Sequence, residues 1–129
     1  MSLYRELDSL TEERQLEEFR KNLKDRFGVI PQVGEELLRV MPVKWAAKRL
    51  GIEKVVLKQE RMAIYLVDSP HYYQSLSFGK ILEYVNMNPR QCLFRQGEHN
   101  SILIKNVSTF ESALQILTEM ESGKAKKHS

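Results

Sequence analysis

The sequence predicts an α+β fold: N-terminal helices, then two β-hairpins forming a small, mainly antiparallel sheet, with intervening and C-terminal helices. The first fifty residues carry apolar side chains at three- and four-residue intervals, which is the spacing of amphipathic helices. Two later segments are rich in β-branched and aliphatic residues, and a short polar turn divides each of them. Because the order is helices, hairpin, helix, hairpin, helix, the sheet is expected to be mainly antiparallel.

The N-terminal part of the chain predicts two successive helices. The first is indicated by Leu3, Leu7 and Leu10. Ser9 and Glu12 have the spacing of a capping box, which predicts the start of the second helix. One apolar stripe runs along this second helix and consists of Leu16, Phe19, Leu23 and Phe27. Gly28 is expected to end it, since glycine readily takes the left-handed conformation of helix C-termini.

A third helix is predicted to begin at Pro31, because proline suits the first turn of a helix. Its apolar residues again have helical spacing and consist of Val33, Leu37, Leu38 and Met41. Pro42 is expected to break or kink this helix, since proline removes a backbone donor and disfavours helix at the preceding residue. Gly51 is expected to close the segment.

Two hairpins and two further helical segments are predicted after residue 51. The first hairpin pairs residues 54–58 with 62–67, and the second pairs residues 91–95 with 101–107. The helical segment between them is expected to be capped near Ser69 and again near Ser77, and to stop at Asn88-Pro89. Ser108 with Glu111 predicts a capping box at the start of the last helix.

Length and composition indicate one soluble cytoplasmic domain over residues 1–121, followed by a disordered basic tail over residues 122–129. The N-terminus lacks the apolar stretch of a secretory signal, and no apolar run approaches the roughly 20 residues of a membrane span. The opening Met1-Ser2-Leu3 leads us to expect that the natural chain extends further upstream. The net charge of +3 equals the contribution of three tail lysines, so the folded part has no overall basic field.

No pattern in the sequence predicts catalytic, cofactor-binding or metal-binding chemistry. The three histidines are far apart and the single cysteine, Cys92, has apolar neighbours that favour a buried structural role. The glycines are isolated, which argues against a phosphate-binding loop. A hydrolase that uses Cys92 or His99 stays open as a third hypothesis, although neither residue has an identifiable partner for acid–base chemistry.

A nucleic-acid-binding module is the alternative function from another class. It is motivated by the basic tail and by tyrosines such as Tyr72 and Tyr73, which cannot both point inward from one helix face. Such a module would bind DNA with a steep dependence on salt concentration.

Two motifs carry a resemblance to a known family. The first runs from Leu23 through Asp25-Arg26-Phe27-Gly28 and two apolar residues to Pro31, and the second is Leu50-Gly51-Ile52-Glu53-Lys54. In this order and at this distance they resemble the C-terminal (TRCF) domain of the bacterial transcription-repair coupling factor. The resemblance is strong over residues 4–67 and continues as a pattern to residue 120.

The resemblance implies that the chain is the last domain of a DNA-translocating ATPase that displaces stalled RNA polymerase and recruits UvrA. The motor, with its ATP and DNA sites, would lie elsewhere in the parent protein. In the family this domain packs on a UvrB-like N-terminal module and covers the surface that UvrA needs. The implied function is therefore non-catalytic autoinhibition, with that module as the direct partner and with UvrA and RNA polymerase as indirect partners.

Three residues of the second helix are expected to contact that module. Asp25 matches a family position whose acidic side chain faces arginines, and Arg26 lies beside it near the end of the helix. Asn22 matches another position that is often acidic, so here a hydrogen-bonding group replaces a charge. Pro42 also departs from the family, which usually has an unbroken helix there.

Overall fold

The computed structural model describes residues 3–30 and 32–123, and the chain divides into two compact units, residues 1–45 and 46–129. Single-domain organisation over residues 1–121 stays a prediction. Helices α1 (Leu3–Asp8) and α2 (Glu13–Phe27) lie in the first unit, and α3 (Gln32–Arg49) begins there and ends in the second. Pro31, which was expected to start α3, lies outside the described residues.

The first unit has its own apolar core. Its buried side chains are Leu7, Leu16, Leu38 and Met41, so α1, α2 and α3 all contribute. The Trp45 indole packs against this core, and its Nε1 donates a 3.2 Å hydrogen bond to the carbonyl oxygen of Leu10. Arg20 Nη1 lies 2.6 Å from Glu35 Oε2, which joins α2 to α3 at the surface.

The start of α2 differs from the predicted Ser9–Glu12 capping box. Glu12 occupies the N-cap position, and the Gln15 side chain accepts hydrogen bonds from the backbone N–H groups of Glu12 (3.1 Å) and Thr11 (2.8 Å). Ser9 instead donates its hydroxyl to the carbonyl of Glu6 at 2.6 Å. Because Ser9 satisfies a carbonyl at the end of α1, α2 begins with the next suitable residue pair.

Pro42 was expected to break or kink the third helix, and the break is wrong, since α3 continues through Pro42. An interior proline removes one helical hydrogen bond, and its ring crowds the carbonyl of the residue four positions earlier. The residues on either side, Met41 and Val43, are 4% and 2% exposed. Their burial favours the continuous helix and outweighs the local cost of the proline.

The second unit contains a four-stranded antiparallel sheet, which confirms the α+β prediction. The strands are β1 (Ile52–Lys58), β2 (Arg61–Leu66), β3 (Cys92–Arg95) and β4 (Ser101–Lys105). They lie in the order β1-β2-β4-β3, so the two hairpins meet where β2 pairs with β4. The first hairpin turns through Gln59 and Glu60, both with positive φ, as in the two-residue turns that match the twist of paired strands.

Three helices complete the second unit: α4 (Pro70–Tyr73), α5 (Leu76–Met87) and α6 (Phe110–Ser122). The cap of α5 is Ser75, whose Oγ accepts a 3.2 Å hydrogen bond from the Phe78 backbone, and not the predicted Ser77. The buried face of α5 consists of Phe78, Ile81 and Tyr84. Leu76, the first residue of α5, is 86% exposed and lies outside this buried face.

The N-cap of α6 is Thr109, where the sequence predicted Ser108. Thr109 Oγ1 accepts a 3.0 Å hydrogen bond from the Ser112 backbone N–H. Replacing Thr109 by alanine is expected to lower the free energy of unfolding by about 1 kcal/mol, because one N–H at the helix end loses its acceptor. Ser108→Ala is the matched control and should change it by less than about 0.5 kcal/mol. Urea denaturation measures both, and equal losses would contradict this assignment of the cap.

Candidate protein-interaction surface

The three residues predicted to contact a partner lie on the C-terminal half of α2. Leu16 and Leu23 face inward on this helix and are 6% exposed, whereas Asn22, Asp25 and Arg26 are exposed. The polar side of α2 is therefore accessible to solvent, as a docking face requires.

Glu6 of α1 joins these residues around one shallow pocket. The pocket has a volume of about 210 Å³, and Phe19 and Leu23 contribute apolar surface to it. Two acidic residues, Glu6 and Asp25, line this pocket together with the basic residue Arg26. An arginine side chain from a partner can lay its aliphatic stem on such apolar surface while its guanidinium contacts the carboxylates.

The end of α2 exposes two apolar side chains next to this pocket. Gly28 has φ +77° and donates its N–H to the Lys24 carbonyl at 2.7 Å, which confirms its predicted role as the helix stop. Phe27 is 55% exposed and Val29 is 79% exposed. The Arg26 guanidinium lies 5.5 Å from the centre of the Phe27 ring, within the range of a cation–π contact.

Phe27 is therefore not the core residue that its spacing predicted. Spacing shows which side of a helix is apolar, but it does not show where along the helix the covering elements end. Sequence reasoning also missed Glu6, because nothing local to α1 or α2 indicates that these helices approach at this point. The exposed Phe27 and Val29 could have been suspected only from their position at a helix stop.

The residues that the structure describes were compared with the geometry that a metal ion needs. Within that part of the chain, no group of three or more potential metal ligands occurs. No helix of the described segments is long and apolar enough to cross a bilayer. Cys92 is buried, and this burial raises the pKa of its thiol from 9.0 to about 11.

Cys92 is expected to react roughly a hundredfold more slowly in the native protein than in the unfolded chain at neutral pH, since the higher pKa reduces the thiolate fraction by that factor. The folded state holds this proton more tightly, so the associated stability is present below pH 9.0 and is lost as the pH rises towards about 11. Labelling with a thiol reagent, with and without urea, measures the ratio. Equal rates would contradict the burial of Cys92.

Comparison with known families shows to which family the chain belongs. The model of the TRCF domain matches residues 1–75, which is more than half of the sequence and includes both motifs. The chain belongs to the TRCF domain family. This TRCF domain is 31% identical over 71 residues to the transcription-repair-coupling factor of Escherichia coli (strain K12). The aligned part covers 55% of the TRCF domain and 6% of that relative, so the chain spans a small fraction of the relative's length.

The fold of this TRCF domain is also that of a solved structure, the crystal structure of the C-terminal domain of a transcription-repair coupling factor. The two superpose with a TM-score of 0.66 at 16% sequence identity, over 94% of this chain and 78% of the other. The structural match covers 94% of the chain, so it extends beyond residue 75, where the match to the family model ends.

Proposed function

We propose that this TRCF domain is a non-catalytic regulatory domain of a transcription-repair coupling factor and that it acts in the cytoplasm. In this proposal the parent protein is an ATP-dependent DNA translocase that displaces stalled RNA polymerase and recruits UvrA. The TRCF domain docks on the parent's UvrB-like N-terminal module and covers the surface that UvrA needs.

The observation that carries this proposal is the exposed pocket on α2. Asp25 and Asn22 are accessible there, and Glu6 adds a second carboxylate. Phe19 and Leu23 give the same pocket an apolar part, so a basic side chain that enters it can bury its stem and pair its charge. Asn22 lacks the negative charge that the family often has at this position. Glu6 partly replaces that charge, because it lines the same pocket.

Exposed apolar surface beside the pocket supports a protein partner. Phe27 and Val29 extend from the helix end next to Arg26, and an aromatic residue with an arginine is the composition typical of interface centres. Within the parent chain the two partners are tethered, so the effective concentration of the module is on the order of millimolar. Weak contacts at this surface are then sufficient for repression, and engagement of RNA polymerase can release them.

Asp25→Arg is expected to weaken binding of the isolated UvrB-like module to this domain roughly thirtyfold, because it replaces an attractive charge pair with a repulsive one. Calorimetric titration of the wild-type and variant domains with the module measures the change. Since Asp25 is exposed, the variant should keep the wild-type circular dichroism spectrum.

Glu13→Arg is the matched control for this titration. It makes the same charge change on α2, in the first turn of the helix, and Glu13 does not line the pocket. We expect its affinity to stay within about twofold of wild type, apart from the loss of long-range attraction at low salt. If Asp25→Arg binds as well as wild type, Asp25 is not in the interface and the proposed docking face is wrong.

A further inference from the structure

One face of the four-stranded sheet carries five exposed basic residues, and its side chains form three rows across the strands. Directly paired residues of antiparallel strands share a face, so the registers define each row. The apolar row consists of Val56, Ala63, Leu103 and Leu93. The Lys54 row consists of Lys54, Tyr65, Ser101 and Arg95. The Lys58 row consists of Lys58, Arg61 and Lys105.

The opposite face of the sheet is the buried one. Met62, Ile64, Ile102 and Ile104 alternate with the residues of the rows and are all 0% exposed. On the open face all five basic residues are exposed, and Leu93 is 48% exposed. Leu103, in the apolar row, and Ser101, in the Lys54 row, are each 8% exposed, so β4 contributes little accessible surface there. The accessible apolar surface of the row comes from the half-buried Val56 and Ala63 and the exposed Leu93, with exposed cations on both sides.

The charge on this face has one sign. Its eleven positions include five basic residues and no carboxylate. Among residues 3–30 and 32–123, none of the five basic side chains is in an ion pair. The Lys54 ammonium lies 5.8 Å from the centre of the Tyr65 ring. Two acidic residues are direct sequence neighbours of these cations, but both lie outside the rows. Glu53 lies at the register irregularity of β1, and Glu60 lies in the turn of the first hairpin. The net charge of the whole chain therefore does not reveal the local excess of positive charge on this face.

The dimensions of the rows fit one particular shape of partner. Strands lie about 4.8 Å apart, so a row across four strands is about 14 Å long. Two residues along a strand advance about 6.8 Å, which places the two basic rows about 14 Å apart, one on each side of the apolar row. A helix about 10 Å in diameter fits along the apolar row, and about ten of its residues span it.

We propose that this face binds an amphipathic helix of a partner protein, whose apolar stripe is flanked on both sides by aspartate and glutamate. The stripe packs on Leu93, Ala63 and Val56, and the flanking carboxylates meet the Lys54 row and the Lys58 row. The face belongs to the second unit, whereas the docking surface on α2 belongs to the first. The proposed helix-binding face can therefore be tested separately from the proposed autoinhibition, and the result of one test does not decide the other.

A protein helix explains this face better than a nucleic acid does. Single-stranded nucleic acids bind where aromatic side chains stack the bases, and Tyr65 is the one aromatic residue among the eleven positions. Phosphates would pair with the basic rows but would leave the apolar row without a counterpart. An acidic amphipathic helix accounts for all three rows with one ligand.

The test is a nuclear magnetic resonance titration of the isotopically labelled 129-residue chain. The probe is a synthetic helical peptide of about 14 residues with a leucine stripe flanked by glutamates, which is long enough to cross the sheet. The control peptide has the same stripe flanked by lysines. We expect the first peptide to shift amide signals of β1 to β4, centred on Ala63 and Leu103, and the control peptide to shift none of them.

Two variants measure separately how much the basic residues and the apolar row contribute to binding of the peptide. Arg61→Glu with Lys105→Glu is expected to weaken binding of the acidic peptide at least roughly tenfold, and Leu93→Ser roughly threefold. Lys48→Glu with Lys80→Glu is the matched double reversal on helices α3 and α5, and it should leave the affinity within about twofold. Lys80 is half-buried and the other substituted side chains are exposed, so circular dichroism should show that each variant keeps the fold.

Three results would overturn the proposal. The first is no shift of the sheet signals by the acidic peptide up to millimolar concentration. The second is an effect of the Lys48 and Lys80 reversals as large as that of Arg61 and Lys105. The third is tighter binding of a single-stranded oligothymidylate to the same face, with a steep salt dependence and no effect of Leu93→Ser, which would assign the face to nucleic acid.

Discussion

Replacing Ile64 by alanine is expected to lower the free energy of unfolding by about 4 kcal/mol, the largest loss we predict for one substitution. Ile64 is 0% exposed in β2, a central strand, and is paired on its two sides with Val55 and Ile102. Because these neighbours belong to hydrogen-bonded strands, they cannot move inward to fill the space. The truncated side chain therefore leaves a cavity as well as losing its own burial. Urea denaturation followed by circular dichroism measures the change.

Two control variants show whether the cavity causes the loss. Ile64→Val removes one methyl group and should cost about 1 kcal/mol. Val56→Ala, on the open face of β1 where the side chain is half-buried, should also cost about 1 kcal/mol or less. A loss below about 1.5 kcal/mol for Ile64→Ala would mean that the sheet relaxes around the site. The core would then be less rigid than its strand pairing implies.

The hairpins and helices were predictable because their signals are local. Runs of β-branched and aliphatic residues, each divided by a polar turn, located both hairpins, and the strand ends differ from the predicted ones by two residues or fewer. The strand order β1-β2-β4-β3 was not predictable from these signals, since the pairing of β2 with β4 joins segments separated by two helices. That pairing also creates the open basic face, because no single strand has more than two of its five cations.

The helix caps show the limit of a local pattern. Ser77, Ser108 and the Ser9–Glu12 pair all have suitable side chains, yet Ser75, Thr109 and Glu12 occupy the cap positions. The cap is the last residue with extended backbone before the helix, and its place depends on where the preceding segment packs. Closely spaced serines and threonines therefore predict that a helix begins, but not at which residue.

Tertiary packing explains the remaining differences between the predicted and the observed structure. Pro42 lies in an unbroken helix because its neighbours are buried, and Phe27 is exposed because nothing in the described chain covers the end of α2. At the candidate surface, the apolar stripe of α2 was enough to predict that Asn22, Asp25 and Arg26 face solvent. Glu6 could not be placed with them, because the approach of α1 to α2 depends on the core that the helices share.

Gly51→Ala is expected to lower the free energy of unfolding by about 3 kcal/mol, for two separate reasons. Gly51 has φ +72°, a conformation that costs an alanine about 1 kcal/mol. An added Cβ would also lie 2.5 Å from Cε1 of Tyr72. That ring is 9% exposed and its hydroxyl donates a 2.9 Å hydrogen bond to the Leu50 carbonyl, so it cannot move aside without losing buried contacts. Thermal and urea denaturation measure the total.

Gly123→Ala separates the two causes. Gly123 has φ +70°, and nothing lies within 4 Å of an added Cβ there. Backbone strain is therefore the only cause that can destabilise this variant. It should cost about 1 kcal/mol, and the difference from Gly51→Ala measures the collision with Tyr72. In a Tyr72→Ala background the collision disappears, so Gly51→Ala should then cost no more than Gly123→Ala. If Gly51→Ala costs as much there as in wild type, the ring is not the obstacle. The glycine of the Leu50-Gly51-Ile52 motif would then be required for its backbone conformation alone.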